Sequence, residues 1–165
     1  MQKLCVIAFS MLVFLGCGKT QEETQVADSQ TLLFEYQKMP PKAPINLEAA
    51  QLLDGWPEFG GLTQSFNVLY QAKTHEDLGF AVDDLLAKEK ILRESTYPET
   101  FDKAQIKSRQ KVLRTFLLKT KATVVERRNA TAATVEMLIA YNAFRDQFNI
   151  IINNALDTKL ILDEE

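Results

Sequence analysis

Residues 136–155 read EMLIAYNAFRDQFNIIINNA, and their spacing decides the fold class. Met137, Tyr141, Phe144, Phe148, Ile151 and Ala155 step by 4, 3, 4, 3 and 4, which is a heptad seam on a helix, widened by Ile152. Working outward, Asn129-Ala130-Thr131 offers the cap of this helix, which is predicted to run from there to about Leu156 or beyond. Upstream, Ile106, Leu113, Phe116, Leu117 and Val124 share one face of a second predicted helix, running from Pro98 to about Arg128. Leu78, Val82, Leu85 and Leu92 do the same in a first, from about Leu62 to Glu94. Thr74 followed by Asp77 has capping-pair spacing, so this first helix is kinked or split there. No βαβ alternation or internal repeat competes. The expectation is an all-α fold: an elongated up-down three-helix bundle, about 45 Å long at 1.5 Å per residue, with a short lead-in helix.

That lead-in is Asn46–Asp54 (NLEAAQLLD), with Asn46 as N-cap and Glu48 in the first turn. Gly55, Pro57, Gly60 and Gly61 are expected to break the chain around Trp56 and Phe59, and Trp56 to cover one end of the bundle. Before it, PPKAP (Pro40, Pro41, Pro44) sets a stiff extended connector, and GKTQEETQVADSQT (18–31) has too few apolar residues to pack and reads as a flexible tether.

The N-terminus carries Lys3, then an apolar run from Leu4 to Leu15 interrupted only by Ser10. About a dozen residues are too few to cross a bilayer, which takes roughly 20. A positive start, a short apolar core and small residues at its end describe a secretory signal peptide. Phe14-Leu15-Gly16-Cys17 resembles the lipobox of bacterial lipoproteins. The resemblance covers only the first 20 or so residues. It implies cleavage before Cys17, acyl chains on that cysteine, and membrane attachment through them. Gly18 stands where an Asp would imply inner-membrane retention, so the resemblance favours the outer membrane, and Lys19, Glu22 and Glu23 look like surface-export signals. The expected division is signal peptide 1–16, acylated tether and connector 17–45, and helical domain 46–165.

Cys5 would leave with the signal, so the mature chain would hold no thiol beyond Cys17. Its 18 basic and 22 acidic side chains are too acidic in balance for a nucleic-acid binder. His75 is the only histidine, there is no phosphate loop, nucleophile elbow or His-bearing triad, and neither a metal, a cofactor nor a small-molecule substrate is expected.

Two charges interrupt the apolar faces. Glu89 falls among Val82, Leu85 and Leu92, and Arg109 between Leu113 and Phe116. Folding the first two helices back around residue 96 sets Arg109 level with Asp83 and Glu89 level with Lys103, as cross-helix ion pairs. Residues 98–128 carry nine basic against three acidic side chains, a candidate basic stripe that includes Lys107, Lys111, Arg114 and Lys121. Asn142, Asp146, Asn149 and Asn153 form a polar ladder at steps of 4, 3 and 4, a candidate contact surface for another protein. The expected function is non-catalytic: an envelope lipoprotein acting as accessory or scaffolding subunit of an outer-membrane assembly. The alternative is an envelope binding protein, a chaperone, stress sensor or lipid or peptide binder.

Overall fold

The computed structural model describes residues 33–162, with side-chain surroundings through residue 154. The expected cleavage site, Cys17 and the tether to residue 31 lie outside the described residues. Those described are all-helical, with no strand: α1 (Leu47–Leu53), α2 (Pro57–Leu69), α3 (His75–Glu94), α4 (Ala104–Val125) and α5 (Thr131–Leu162), plus single 3-10 turns at Tyr36–Lys38 and Glu99–Phe101.

The first long helix divides in two. Thr74 accepts a hydrogen bond from the Asp77 backbone N–H (3.1 Å) while the Asp77 carboxylate accepts from the Thr74 N–H (3.1 Å), a reciprocal box that starts α3 and turns the chain back on α2. Hydrogen bonding from the Thr74 hydroxyl, then from the Lys73 and Thr74 N–H groups, lowers the Asp77 pKa. Gly60 and Gly61 do not break the chain, as their composition suggested. Pro57 occupies the first helical position, and α2 buries Phe59, Leu62, Phe66 and Leu69 on one face. Each such burial contributes about 1.5–3 kcal/mol, which outweighs the roughly 1 kcal/mol that a helical glycine costs.

Four long helices therefore alternate up and down. α2 packs on α3, α3 on α4 and α4 on α5, and aromatic rings close the ring of helices. Phe66 stacks on Tyr141 with centroids 3.5 Å apart, and Phe59 lies edge-on to Phe148 at 5.1 Å. One end is sealed by Trp56, Tyr97, Phe101 and Phe148, with the Trp56 Nε1–H donated to Ser95 Oγ (3.0 Å). α4 ends on Arg127, whose φ of 51° lets the Arg128 N–H reach back to the Thr123 carbonyl at 3.1 Å.

The packed body begins earlier than residue 46. Phe34 is buried, the Leu33 carbonyl accepts from the Ala130 N–H (2.7 Å), and the Glu35 N–H donates to Thr131 Oγ1 (2.9 Å). From there residues 33–46 run alongside α5, parallel to it, as a strap.

Candidate functional site

The strap ends in the proline connector, and α5 holds it by its backbone. Pro40, Pro41 and Pro44 have no N–H, and of the connector's remaining groups α5 takes the donors of Ala43 and Asn46 and the carbonyls of 41, 43 and 44. Asn142 accepts from the Ala43 N–H (2.8 Å) and donates to the Pro41 carbonyl (2.9 Å). Asn149 repeats the grip, accepting from the Asn46 N–H (2.9 Å) and donating to the Pro44 carbonyl (3.1 Å). Asn153 accepts from the Asn46 side chain (3.3 Å), while the Asn46 Oδ1 caps α1 through the Ala49 N–H (2.8 Å). The ladder expected to face another protein thus holds the chain's own connector; of the four, Asp146 and Asn153 are exposed, and Asp146 takes no part in the grip. Sequence spacing correctly puts these amides on one face, but carries no information on which segment covers that face.

Arg145, which the sequence does not single out, completes the clamp. It is 7% exposed, its Nε–H is donated to the Ala43 carbonyl (2.7 Å), and its Nη1 to the Tyr141 hydroxyl (3.3 Å). It lines a cavity of about 430 Å³ between α1, α2 and α5, walled by Ile45, Leu53, Trp56 and Phe59, with Thr63 opposite and Asp54 at the rim. Thr63 Oγ1 and the Tyr70 hydroxyl are buried without a hydrogen-bond partner. Burial, reinforced by the nearby Tyr141, pushes the Tyr70 pKa up to about 12 against the pull of Arg145. Burial and the repulsion of Arg145 lower the pKa of Lys42, whose Nζ donates to Asn67 (2.7 Å).

A second polar group lies between α3 and α4. Glu89 is wholly buried and receives Arg114 Nη1 at 2.5 Å and Gln110 Nε2 at 3.2 Å; Tyr97 donates in turn to Gln110. Burial raises the Tyr97 pKa, helped by the charges of Glu89 and Asp102. Glu89 and Tyr97 line a hollow of about 360 Å³ whose other walls include Arg93, Lys107 and Lys111. Glu89 pairs with Arg114 rather than Lys103, and Asp83 with Lys121 (2.5 Å) rather than Arg109. The reason is the connector between these helices. Residues 95–103, with their 3-10 turn, move the fold-back point from 96 to about 102, as the midpoints of both pairs show. Arg109 is exposed, Lys103 is exposed at the N-cap of α4, and Gln110 takes the inward position between Ile106 and Leu113.

The basic residues of α4 divide accordingly. Arg114 and Lys121 face α3, Lys107 pairs with Asp102, and Lys111 stays exposed beside Val112, which is 41% exposed. Among the described residues no three His, Cys, Asp or Glu side chains gather as a metal site would require, and no helix is long and apolar enough to cross a membrane. No protein-family model, curated protein or solved structure matches this chain.

Proposed function

We propose that this protein is a non-catalytic cell-envelope lipoprotein, held at the outer membrane by acyl chains on Cys17, whose helical body is an accessory or scaffolding subunit of a membrane protein assembly. The observation that carries this reading is the strap. Leu33 lies sixteen positions after Cys17, a reach of at most about 55 Å when extended. Beyond Leu33 the chain is fixed to α5 rather than loose, so a lipid at Cys17 would hold the body close to the bilayer with one end of the bundle toward it. The outward side of α4 then offers Lys107 and Lys111 on one face with Leu118, a mixed basic and apolar strip suited to an acidic partner surface.

Fractionation and cross-linking test both parts. Cys17→Ala is expected to move the protein from the membrane to the soluble fraction. Lys107→Glu with Lys111→Glu is expected to leave it in the membrane while abolishing cross-links to one stoichiometric partner. A wild-type protein that emerges from mild detergent alone and monodisperse overturns the subunit reading, and a Cys17→Ala protein that stays in the membrane overturns the anchor.

A further inference from the structure

Arg145 presents an unbalanced charge. A guanidinium has five N–H donors, of which the Ala43 carbonyl and the Tyr141 hydroxyl engage Nε and Nη1. No carboxylate among the described residues pairs with it, although α4 and α3 show that this chain pairs its buried charge when the charge is structural, as with Glu89 and Arg114. A buried cation without an anion is unfavourable. Thr63 lines the same cavity, with its own hydroxyl buried in the wall. The guanidinium thus borders the hollow without a counter-charge, and the walls around it are largely apolar and aromatic. Asp54, the one carboxylate on the lining, is exposed at the rim. A volume of about 430 Å³ lies within the 300–1,000 Å³ that small-molecule sites occupy.

We propose that this cavity binds an amphipathic monocarboxylate, such as a medium-chain fatty acid, with the carboxylate on Arg145 and the hydrocarbon against Trp56, Phe59 and Leu53. The planar guanidinium fork matches a carboxylate in geometry and in charge, one against one. A phosphate dianion would leave its second charge facing aromatic walls. Lys42 lies close enough to repel Arg145, a second positive charge near the site against Asp54 at its rim. The ligand would also tie α1, α2 and the clamped connector together at the point where they meet α5. This inference stands apart from the membrane anchoring proposed above and does not need it.

Trp56 is the only tryptophan in the chain and lines this cavity, so its fluorescence reports on ligand entry there. The full chain is titrated with octanoate below its micelle concentration, with octan-1-ol, and with inorganic phosphate. Octanoate is expected to shift the emission saturably, octanol to bind at least tenfold more weakly, and phosphate to do nothing. Gly60 lines the cavity in open space, with nothing within 4 Å of where a Cβ would sit, so Gly60→Leu should fill the hollow and abolish the titration with the circular dichroism unchanged. Arg145→Gln should weaken octanoate tenfold or more. Octanol binding as tightly as octanoate, phosphate producing the same shift, or an undiminished response in Gly60→Leu overturns the proposal.

Discussion

Asn142 and Asn149 stand seven residues apart on α5 and take hold of backbone segments three residues apart in the connector. Seven residues of α-helix advance about 10.5 Å, and three residues of polyproline II about 9.3 Å. Met39 (φ −64°, ψ 127°) and Asn46 (φ −66°, ψ 160°) bracket the connector with extended values of that kind. The two periods nearly coincide, so one amide per two helical turns meets one turn of proline helix.

Each of these amides makes two hydrogen bonds, and a hydrogen bond contributes about 0.5–1.5 kcal/mol net. Asn142→Ala and Asn149→Ala should therefore each lower unfolding free energy by about 1–3 kcal/mol in urea titrations. Asn149→Asp keeps the acceptor for Asn46 and loses the donor to Pro44, so its loss should be smaller. Limited trypsinolysis at Lys38 and Lys42 should accelerate in the same order; unchanged cleavage in the double alanine variant would show that the clamp contributes nothing.

Glu89 is expected to be the most sensitive charge in the bundle. Arg114→Met leaves its carboxylate buried with only Gln110 beside it, a loss of about 3–5 kcal/mol. Glu89→Met with Arg114→Met removes both charges and should recover much of that loss. Denaturant midpoints of the two variants decide the matter: a double variant no better than Arg114→Met would mean that packing, not charge, is what the single change damaged.

Three backbone positions give contrasting expectations. Gly60 is helical with open space around it, so Gly60→Ala should stabilise by about 0.5–1 kcal/mol. At Gly79 an added Cβ would meet Val124 Cγ1 at 3.3 Å, where α3 and α4 approach, and Gly79→Ala should give less or nothing. Arg127 holds a left-handed conformation, so Arg127→Gly should gain about 1 kcal/mol. Thermal melts of the three variants should rank them Arg127→Gly and Gly60→Ala above wild type, with Gly79→Ala at or below it.

Tyr70 sets an alkaline limit. Its folded pKa of about 12 exceeds the ordinary 10.0, so between these values the unfolded chain loses the phenolic proton while the folded chain keeps it. The unfolded state then binds fewer protons, and stability falls as pH rises from about 10. Tyr70→Phe should flatten that decline. It also removes a buried hydroxyl without a partner, so stability near pH 7 should rise by about 1 kcal/mol. A wild-type alkaline limb reproduced unchanged in Tyr70→Phe would assign the decline elsewhere.

Much of the fold is legible in the sequence because its signals are local. The seam through Met137, Tyr141, Phe144 and Phe148 announces α5, Thr74 and Asp77 announce the break, and Asn46 announces α1. Glu89 is recognisably inward-facing because Val82, Leu85 and Leu92 fix the phase of α3. Its partner is not, because register depends on the length of the turn, and residues 95–103 look like a short restart at Pro98 until the 3-10 turn is seen. The role of the asparagines was hidden for a similar reason. An amide on a polar face looks the same whether it meets water, another protein, or prolines a hundred residues upstream. Arg145 is not legible in this way, because a single arginine between Phe144 and Phe148 carries no periodic signal, and only the packing around it reveals that it lacks a counter-charge.

The strap also dictates an order of assembly. Its hydrogen bonds to α5 join residues 96 to 107 apart in sequence. Contacts of such separation form late, after loop closure has been favoured by nearer ones. The α2–α3 and α3–α4 hairpins can close on their own residues, but the strap has nothing to grip until α5, the last helix made, is in place. The first segment of the body to leave the ribosome is therefore the last to be secured, and it stays accessible to other binders throughout that interval.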